Sequence, residues 1–521
     1  MALCGAIALL FAAPLVYLLV ETLGGAENLA TLYGSARTLE PLGGSLMLAL
    51  ATAGSSAVVG TGLAWLTTRT DLPLRRLWSV LAPLPLVFPS FVGALALVAA
   101  VSPGGLLEAP LGWLGIEATR PQGFWGAWLV LTLFTAPYVL LPVAARLAAL
   151  PPSLEESARL LGRRPAAVFR SVVLPQIASA ILAGTLLVFL YALSDFGVVV
   201  LLRYDTLTRA IYTNRTLDQS QSIALSLLLG VLALVVVAIE RVVARRRTTP
   251  HAVGVRSALH VPLGRWRWPA LGAVLLWVAL ALGAPLLSLG LWAARGLWGE
   301  RTAVGADLDG ADLGGLLGPA WSTLSIGVIT AVVAVAVVLP LAYLSGRHGA
   351  FAGDVANGMV AAGFALPGLV VALAVVSWAV RVPEGWGLYQ SFVLLVSAYV
   401  VHLGVQSLRA AQVAVASVPR RLDESARMLG AGPARRFATV DAPLMVPGLA
   451  AGGGLVLLST MKELPITLLL APLGFETLAT RIWHGAESGF LSEAGLASLV
   501  LVVLSGLLTW LLVVRRTERL A

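Results

Sequence analysis

Charge is scarce in this 521-residue chain. Asp, Glu, Lys and Arg together make up 12% of it, against about 25% in an ordinary soluble domain. Too few polar side chains remain to cover a soluble surface. Cysteine is nearly absent: with Cys4 alone, an intrachain disulfide is excluded and nothing supports a Cys-based metal site. With three residues before it, too few for a signal sequence, Cys4 is not expected to be a lipoprotein cysteine. Lysine is as rare: only Lys462 occurs, and Glu463 follows it. A phosphate-binding P-loop needs Gly-Lys-Ser/Thr. That tripeptide does not occur, so the chain carries no ATPase of this type. Clustered His, Asp or Glu of the kind a hydrolase needs is missing too.

What is abundant is apolar: 58% of residues are hydrophobic and the mean hydropathy is +0.90. A soluble, disordered or coiled-coil protein is excluded, and an all-α polytopic membrane protein is indicated. Crossing a bilayer takes about 20 apolar residues. Twelve runs qualify, at about 2–20, 44–67, 77–101, 124–146, 177–202, 221–240, 268–292, 320–344, 355–380, 388–408, 445–471 and 491–514. The first is expected to be a retained transmembrane helix, unless the true start lies upstream.

The net charge of +9 reports topology rather than nucleic-acid binding. With loops assigned alternately to two sides, 25 arginines fall on one side and nine on the other. The arginine-rich side is expected to be cytoplasmic. Both termini lie on it, as does the stretch 241–267 with seven arginines and no acid. That stretch reads as a solvated linker; a lipid-binding patch is the lesser alternative.

The two halves repeat. Residues 88–98, FPSFVGALALV, match 366–376, LPGLVVALAVV, at an offset of 278, with Pro89 on Pro367 and Arg69 on Arg347. Residues 154–175 match 422–443 at an offset of 268, without a gap and with 12 of 22 identities. The domains are therefore 1–243, a basic linker 244–267, and 268–521. Each repeat carries six helices, an even number, so the two insert in parallel.

The repeated loops span 151–175 and 419–443. The first reads Leu154-Glu155-Glu156-Ser157-Ala158-Arg159-Leu160-Leu161-Gly162, then Pro165. The second reads Leu422-Asp423-Glu424-Ser425-Ala426-Arg427-Met428-Leu429-Gly430, then Pro433. Ser153 and Glu156 have the spacing of a capping box, which Arg421 breaks in the second copy. Leu154, Ala158 and Leu161 make one apolar stripe. Gly162 suits a left-handed helix cap and Pro165 the first position of a new helix. Each loop is thus a helix–turn–helix that suits docking into a partner's groove.

These loops resemble the Glu-Ala-Ala, three residues, Gly loop of ATP-binding-cassette importer permeases, with Ser157 and Ser425 in place of the first alanine. Two of them in one chain resemble fused permeases of the type I class, which implies that fold, with about twelve transmembrane helices in two parallel six-helix repeats. Ser194-Asp195-Phe196-Gly197, Lys462-Glu463-Leu464-Pro465 and Gly474-Phe475-Glu476-Thr477-Leu478-Ala479-Thr480 resemble the ferric-iron branch; thiamine, polyamine and phosphonate permeases are its relatives. The resemblance implies a subunit of the bacterial inner membrane. It implies a cytoplasmic ATPase dimer, which would use ATP and Mg, docked on Glu156, Ser157, Ala158 and Gly162 and on Glu424, Ser425, Ala426 and Gly430. It also implies a periplasmic or lipid-anchored binding protein. No cofactor is expected in the chain itself, and no nucleic acid. An ion-coupled secondary carrier is the rival reading, but it gives no reason for two matched cytoplasmic loops.

Asp195, Lys462 and Glu463 are charges at membrane depth, each of which costs on the order of 3 kcal/mol there. Asp195 and Glu463 share a register at offset 268, with Gly197 and Pro465 two residues on. They are expected either to line a shared translocation path or to pair within their own halves. His402 reads as a packing or hydrogen-bonding residue, and Gly452-Gly453-Gly454 as a site of close helix approach.

Overall fold

The computed structural model describes residues 2–25, 33–113, 115, 121–245, 261–298, 313–348, 358–360, 363, 365–383 and 387–511. Most of the linker and Arg515, Arg516 and Arg519 lie outside the described residues, as do the side chains of Cys4, Leu154, Pro165, Arg347 and Asp423.

Among the described residues, ten helices are long and apolar enough to cross a membrane, or up to eleven if one bent pair is counted as a span. The bent pair, Arg75–Val87 with Ser90–Val101, turns by 95° within the expected 77–101 run. The break falls where Phe88 precedes Pro89. A residue before proline is pushed out of the helical region, and Phe88 accordingly has ψ 134. The matching run in the second repeat behaves alike. Pro367, with ψ 144, caps a short apolar helix, Gly368–Ala379. Two of the twelve expected spans are therefore a bent pair and a helix too short to count as a span by itself.

The fifth and eleventh runs are also corrected. They end as spans at Ser194 and Met461, and short helices Gly197–Leu201 and Pro465–Leu470 follow. Hydropathy averages over such breaks, because both sides of each are apolar.

The chain forms two compact units whose boundaries differ from those of the repeats. One holds Thr31–Ala210 and Leu232–Asp309; the other holds Met1–Ala30, Ile211–Val231 and Gly310–Ala521. In the first, the helix Ala284–Trp298 packs on Ser90–Val101. Ser288 Oγ donates to the Ala96 carbonyl at 3.0 Å and Trp292 Nε1 to that of Ala99 at 2.9 Å. The core of this unit joins Leu63, Trp78, Val139, Leu147, Ile177 and Trp277. Gly60 lets the long helix Ala36–Arg69 close on its neighbour, since a Cβ there would lie 2.6 Å from the Ala136 carbonyl oxygen.

In the second unit, the N-terminal helix Ala2–Gly25 packs against the helices of the second repeat. Phe11, fully buried, fills the space over Gly404, and Arg381 pairs with Glu21 through two hydrogen bonds. Gly452 serves the expected close approach, since a Cβ there would meet Ala410 Cβ at 2.6 Å. The first helix of each repeat is thus housed with the helices of the other repeat.

Candidate coupling loops and helix caps

Both repeated loops fold as expected in outline and differ in how their helices begin. The first helix is Pro152–Leu160 with Pro151 as N-cap; the second is Arg420–Met428 with Pro419 as N-cap. The expected capping box is absent, because Ser153 lies inside the helix, where its carbonyl accepts from Ser157 Oγ at 2.8 Å. Pro152 starts the helix instead: the first position needs no N–H partner and proline's fixed φ is already helical.

The ends match closely. Gly162 has φ +76 and Gly430 φ +77. In the first loop the N–H of Gly162 donates to the Arg159 carbonyl and that of Arg163 to Ala158; in the second, Gly430 donates to Arg427 and Ala431 to Ala426. These bonds satisfy the last carbonyls of each helix. A Cβ at either glycine would meet nothing within 4 Å, so the demand for glycine is conformational rather than steric.

The single apolar stripe is corrected. Ala158 is buried, while Leu160, Leu161, Met428 and Leu429 are 89%, 80%, 89% and 87% exposed. The stripe assumed a helix running through residue 161; the helix stops at Leu160, and the glycine turn swings Leu161 outward. Each loop therefore presents two apolar side chains at its tip beside exposed Glu156, Ser157 and Arg159, or Glu424, Ser425 and Arg427. Pro165 and Pro433 each open the next helix, which passes through a π-helical turn, Phe169–Val173 or Phe437–Asp441.

One residue of the loop has a partner that sequence reasoning missed. Glu155 forms an ion pair with Arg69, the last residue of the helix Ala36–Arg69, and their side chains are 4% and 0% exposed. The signal was present in the repeat, since Arg347 and Asp423 recur at the matching positions.

The membrane-depth acids have local partners. Asp195 ends the helix Leu174–Ser194. Its Oδ2 accepts from Ser90 Oγ at 2.5 Å and its Oδ1 from the Val198 N–H at 2.9 Å, which caps Gly197–Leu201. Glu463 holds the same register. It accepts from the Ile466 N–H at the start of Pro465–Leu470, and its Oε2 lies 3.8 Å from His402 Nε2. At offset 278 from Ser90 stands Gly368, and a Cβ added there would lie 2.5 Å from Glu463 Oε1. The shorter acid faces a serine and the longer acid a glycine, so both repeats fill the same space differently. Among the described residues Glu463 Oε1 finds no hydrogen-bond partner, whereas both Asp195 oxygens do. Lys462 stands at the C-terminal end of the helix Ala442–Met461, where the helix dipole favours a cation.

Past the far end of that helix from the coupling loop, a cavity of about 640 Å³ opens in the second unit. Arg215, Gln219, Ser377, Glu476, Thr480 and His484 line part of it. Arg481 holds the Glu476 carboxylate at 3.2 Å and also pairs with Glu493. Thr477 and Thr480 form a reciprocal cap that fixes the loop after Gly474. Among the described residues no group of three or more His, Cys, Asp or Glu is placed to hold a metal ion.

Residues 56–249 and 338–518 each match the family of binding-protein-dependent transport system inner membrane components. The chain belongs to this family. Both matches begin within the second helix of a repeat, past the helix that is housed with the other repeat. The chain is 27% identical over 506 residues, 96% of its length and 94% of the relative's, to the Fe(3+)-transport system permease protein FbpB 2 of Haemophilus influenzae. It is 35% identical over 146 residues, 28% of its length and 52% of the relative's, to the sulfate transport system permease protein CysT of Salmonella typhimurium. It is 32% identical over 203 residues, 37% of its length and 76% of the relative's, to the molybdenum transport system permease protein ModB of Mycobacterium tuberculosis. The protein is thus a multi-pass permease of the ATP-binding-cassette importer class with two family modules in one chain. Permeases of this class work with an ATPase and a substrate-binding protein.

Proposed function

We propose that the chain forms the membrane path for ferric iron handed over by a separate binding protein, driven by two ATPase subunits docked on its two loops. The observation that carries the iron reading is the end-to-end match to a fused iron permease; the sulfate and molybdenum relatives match only about a third of the chain. Ferric iron is a hard cation that favours oxygen ligands. Of the two matched acids, Glu463 is the one with an oxygen left over after capping its helix, so it is the better candidate to meet a cation. Asp195 is assigned the helix cap alone.

Docking on the ATPases falls to the exposed pairs Leu160–Leu161 and Met428–Leu429, with Glu156, Ser157, Glu424 and Ser425 beside them. Ala158 and Ala426 are assigned the inner side of each helix, which they leave narrow enough to pack.

The test is radioactive ferric iron uptake by cells that lack other iron importers and express this chain with its ATPase and binding protein. Iron uptake that unlabelled thiamine, polyamine, phosphonate, sulfate and molybdate fail to compete supports the reading. Uptake of one of those solutes in place of iron would replace it.

Topology gives a second expected outcome. Reporter fusions at residue 250 should read cytoplasmic and at residue 305 periplasmic, because the arginine bias favours a cytoplasmic linker and cytoplasmic termini. A periplasmic reading at 250 would overturn the orientation.

A further inference from the structure

We infer that the buried Arg69–Glu155 pair is a strut that delivers the movement of the first coupling loop to the transmembrane bundle. The inference rests on the proposed docking of an ATPase at that loop. Apart from the pair, the helix Pro152–Leu160 is held by covalent chain at its two ends and by packing, with Ala158 buried, on Pro165–Val168 and Phe169–Val173, the segments that follow it directly in sequence. On one side the covalent chain is Pro151; on the other it is the turn Leu161–Arg164, where Gly162 takes a left-handed conformation. Beyond that turn the chain enters a π-helical segment, Phe169–Val173, before the spanning helix proper. All of these attachments are local in sequence, and none of them reaches the helix Ala36–Arg69.

Glu155 adds a second point of attachment 86 residues away in sequence. Arg69 ends a 34-residue helix that packs along Pro137–Ala148 and Leu174–Ser194 in the same unit. The close approaches at Gly60 and Gly184, both against Val139, bind these three helices tightly. Motion applied to Glu155 is therefore shared by three spanning helices at once.

Burial explains why the attachment holds. Both partners are withdrawn from water, so neither charge gains solvent when they part, and breaking a buried pair is costly. The same corner is reinforced by the end of the linker. The Val261 N–H donates to the Arg69 carbonyl and the Leu263 N–H to Asp71 Oδ1, both at 2.8 Å. The sequence also repeats both charges, as Arg347 and Asp423. Opposite charges kept at matching sequence positions of both repeats fit a role that both loops share.

Arg69 and Glu155 are positioning residues, so the readout is coupling rather than activity alone. The whole complex, purified with its ATPase and reconstituted with the binding protein and radioactive ferric iron, is assayed for iron imported per ATP hydrolysed. Glu155→Ala should keep the ATPase co-purifying and hydrolysing while importing at least tenfold less iron per ATP. Glu155→Gln, which keeps the shape, should fall between. Arg69→Cys with Glu155→Cys, in a Cys4→Ser background, should be uncoupled when open and recoupled when a short bis-methanethiosulfonate crosslinker joins the two thiols, releasing methanesulfinate at each. Normal iron per ATP in Glu155→Ala would overturn the strut while leaving the transporter reading intact. A joined cysteine pair that stays uncoupled would overturn it even if Glu155→Ala fails to fold. Absence of any ATPase from the wild-type complex would overturn the docking reading and the strut together.

Discussion

Replacing Gly162 and Gly430 together by valine should abolish ATP-driven uptake while leaving the protein in the membrane at near-normal level. Each glycine sits at φ near +77 and closes a helix whose last carbonyls depend on that turn. The left-handed region costs an ordinary L-residue roughly 1–2 kcal/mol, and a β-branched residue more. No neighbour lies within 4 Å of the added Cβ, so the substitution strains the turn without disturbing the bundle. What changes is the aim of Leu160–Leu161 and Met428–Leu429, which leave the helix at that turn. The effect should be graded. Asparagine, which tolerates this conformation, should transport well; alanine should be intermediate; valine should fail. Uptake measured against membrane abundance reads the series. Full transport by the double valine variant would remove these loops from the mechanism.

A second large effect is expected where the two repeats solve one packing problem in two ways. Asp195→Glu should be poorly tolerated, because its extra methylene must enter the space that Ser90 fills at 2.5 Å. Overpacking of this kind typically costs about 1–3 kcal/mol. Adding Ser90→Gly should recover most of the loss, since it recreates the Gly368–Glu463 arrangement of the other repeat. The reciprocal pair, Glu463→Asp with Gly368→Ser, should likewise be more stable than Gly368→Ser alone, whose Cβ would press on Glu463 Oε1 at 2.5 Å. A coupling energy of about 0.5–3 kcal/mol is the expected range for residues in contact. Thermal unfolding of the purified complex reads both cycles. Additive losses in both would mean that the acids do not share equivalent packing sites.

The same residues show what a sequence can and cannot disclose here. The membrane class is a property of the whole composition, and the repeat survives as matched letters, so both were legible. The turn at Gly162 was legible because a helix end is decided within a few residues. The stripe through Leu161 failed for a local reason: it extended the helix one residue past its true end. The breaks at Pro89 and Pro367 were hidden because both flanks are apolar, and only the proline marks the bend. The pairings Ser90–Asp195 and Arg69–Glu155 join residues 105 and 86 positions apart, and no periodicity carries that information. The exchange of first helices between the repeats was equally out of reach, since it is decided by packing rather than by the order of the helices. For Arg69–Glu155 the recurrence of both charges, as Arg347 and Asp423, was the available hint; for Ser90–Asp195 only the acid recurs, as Glu463, because Gly368 stands at the position of Ser90.

The most direct test of two coupling loops in one permease chain is the stoichiometry of the purified transporter, read by native mass spectrometry. The account predicts one copy of this chain with two ATPase subunits. Two copies of this chain for two ATPase subunits, or one for one, would contradict it.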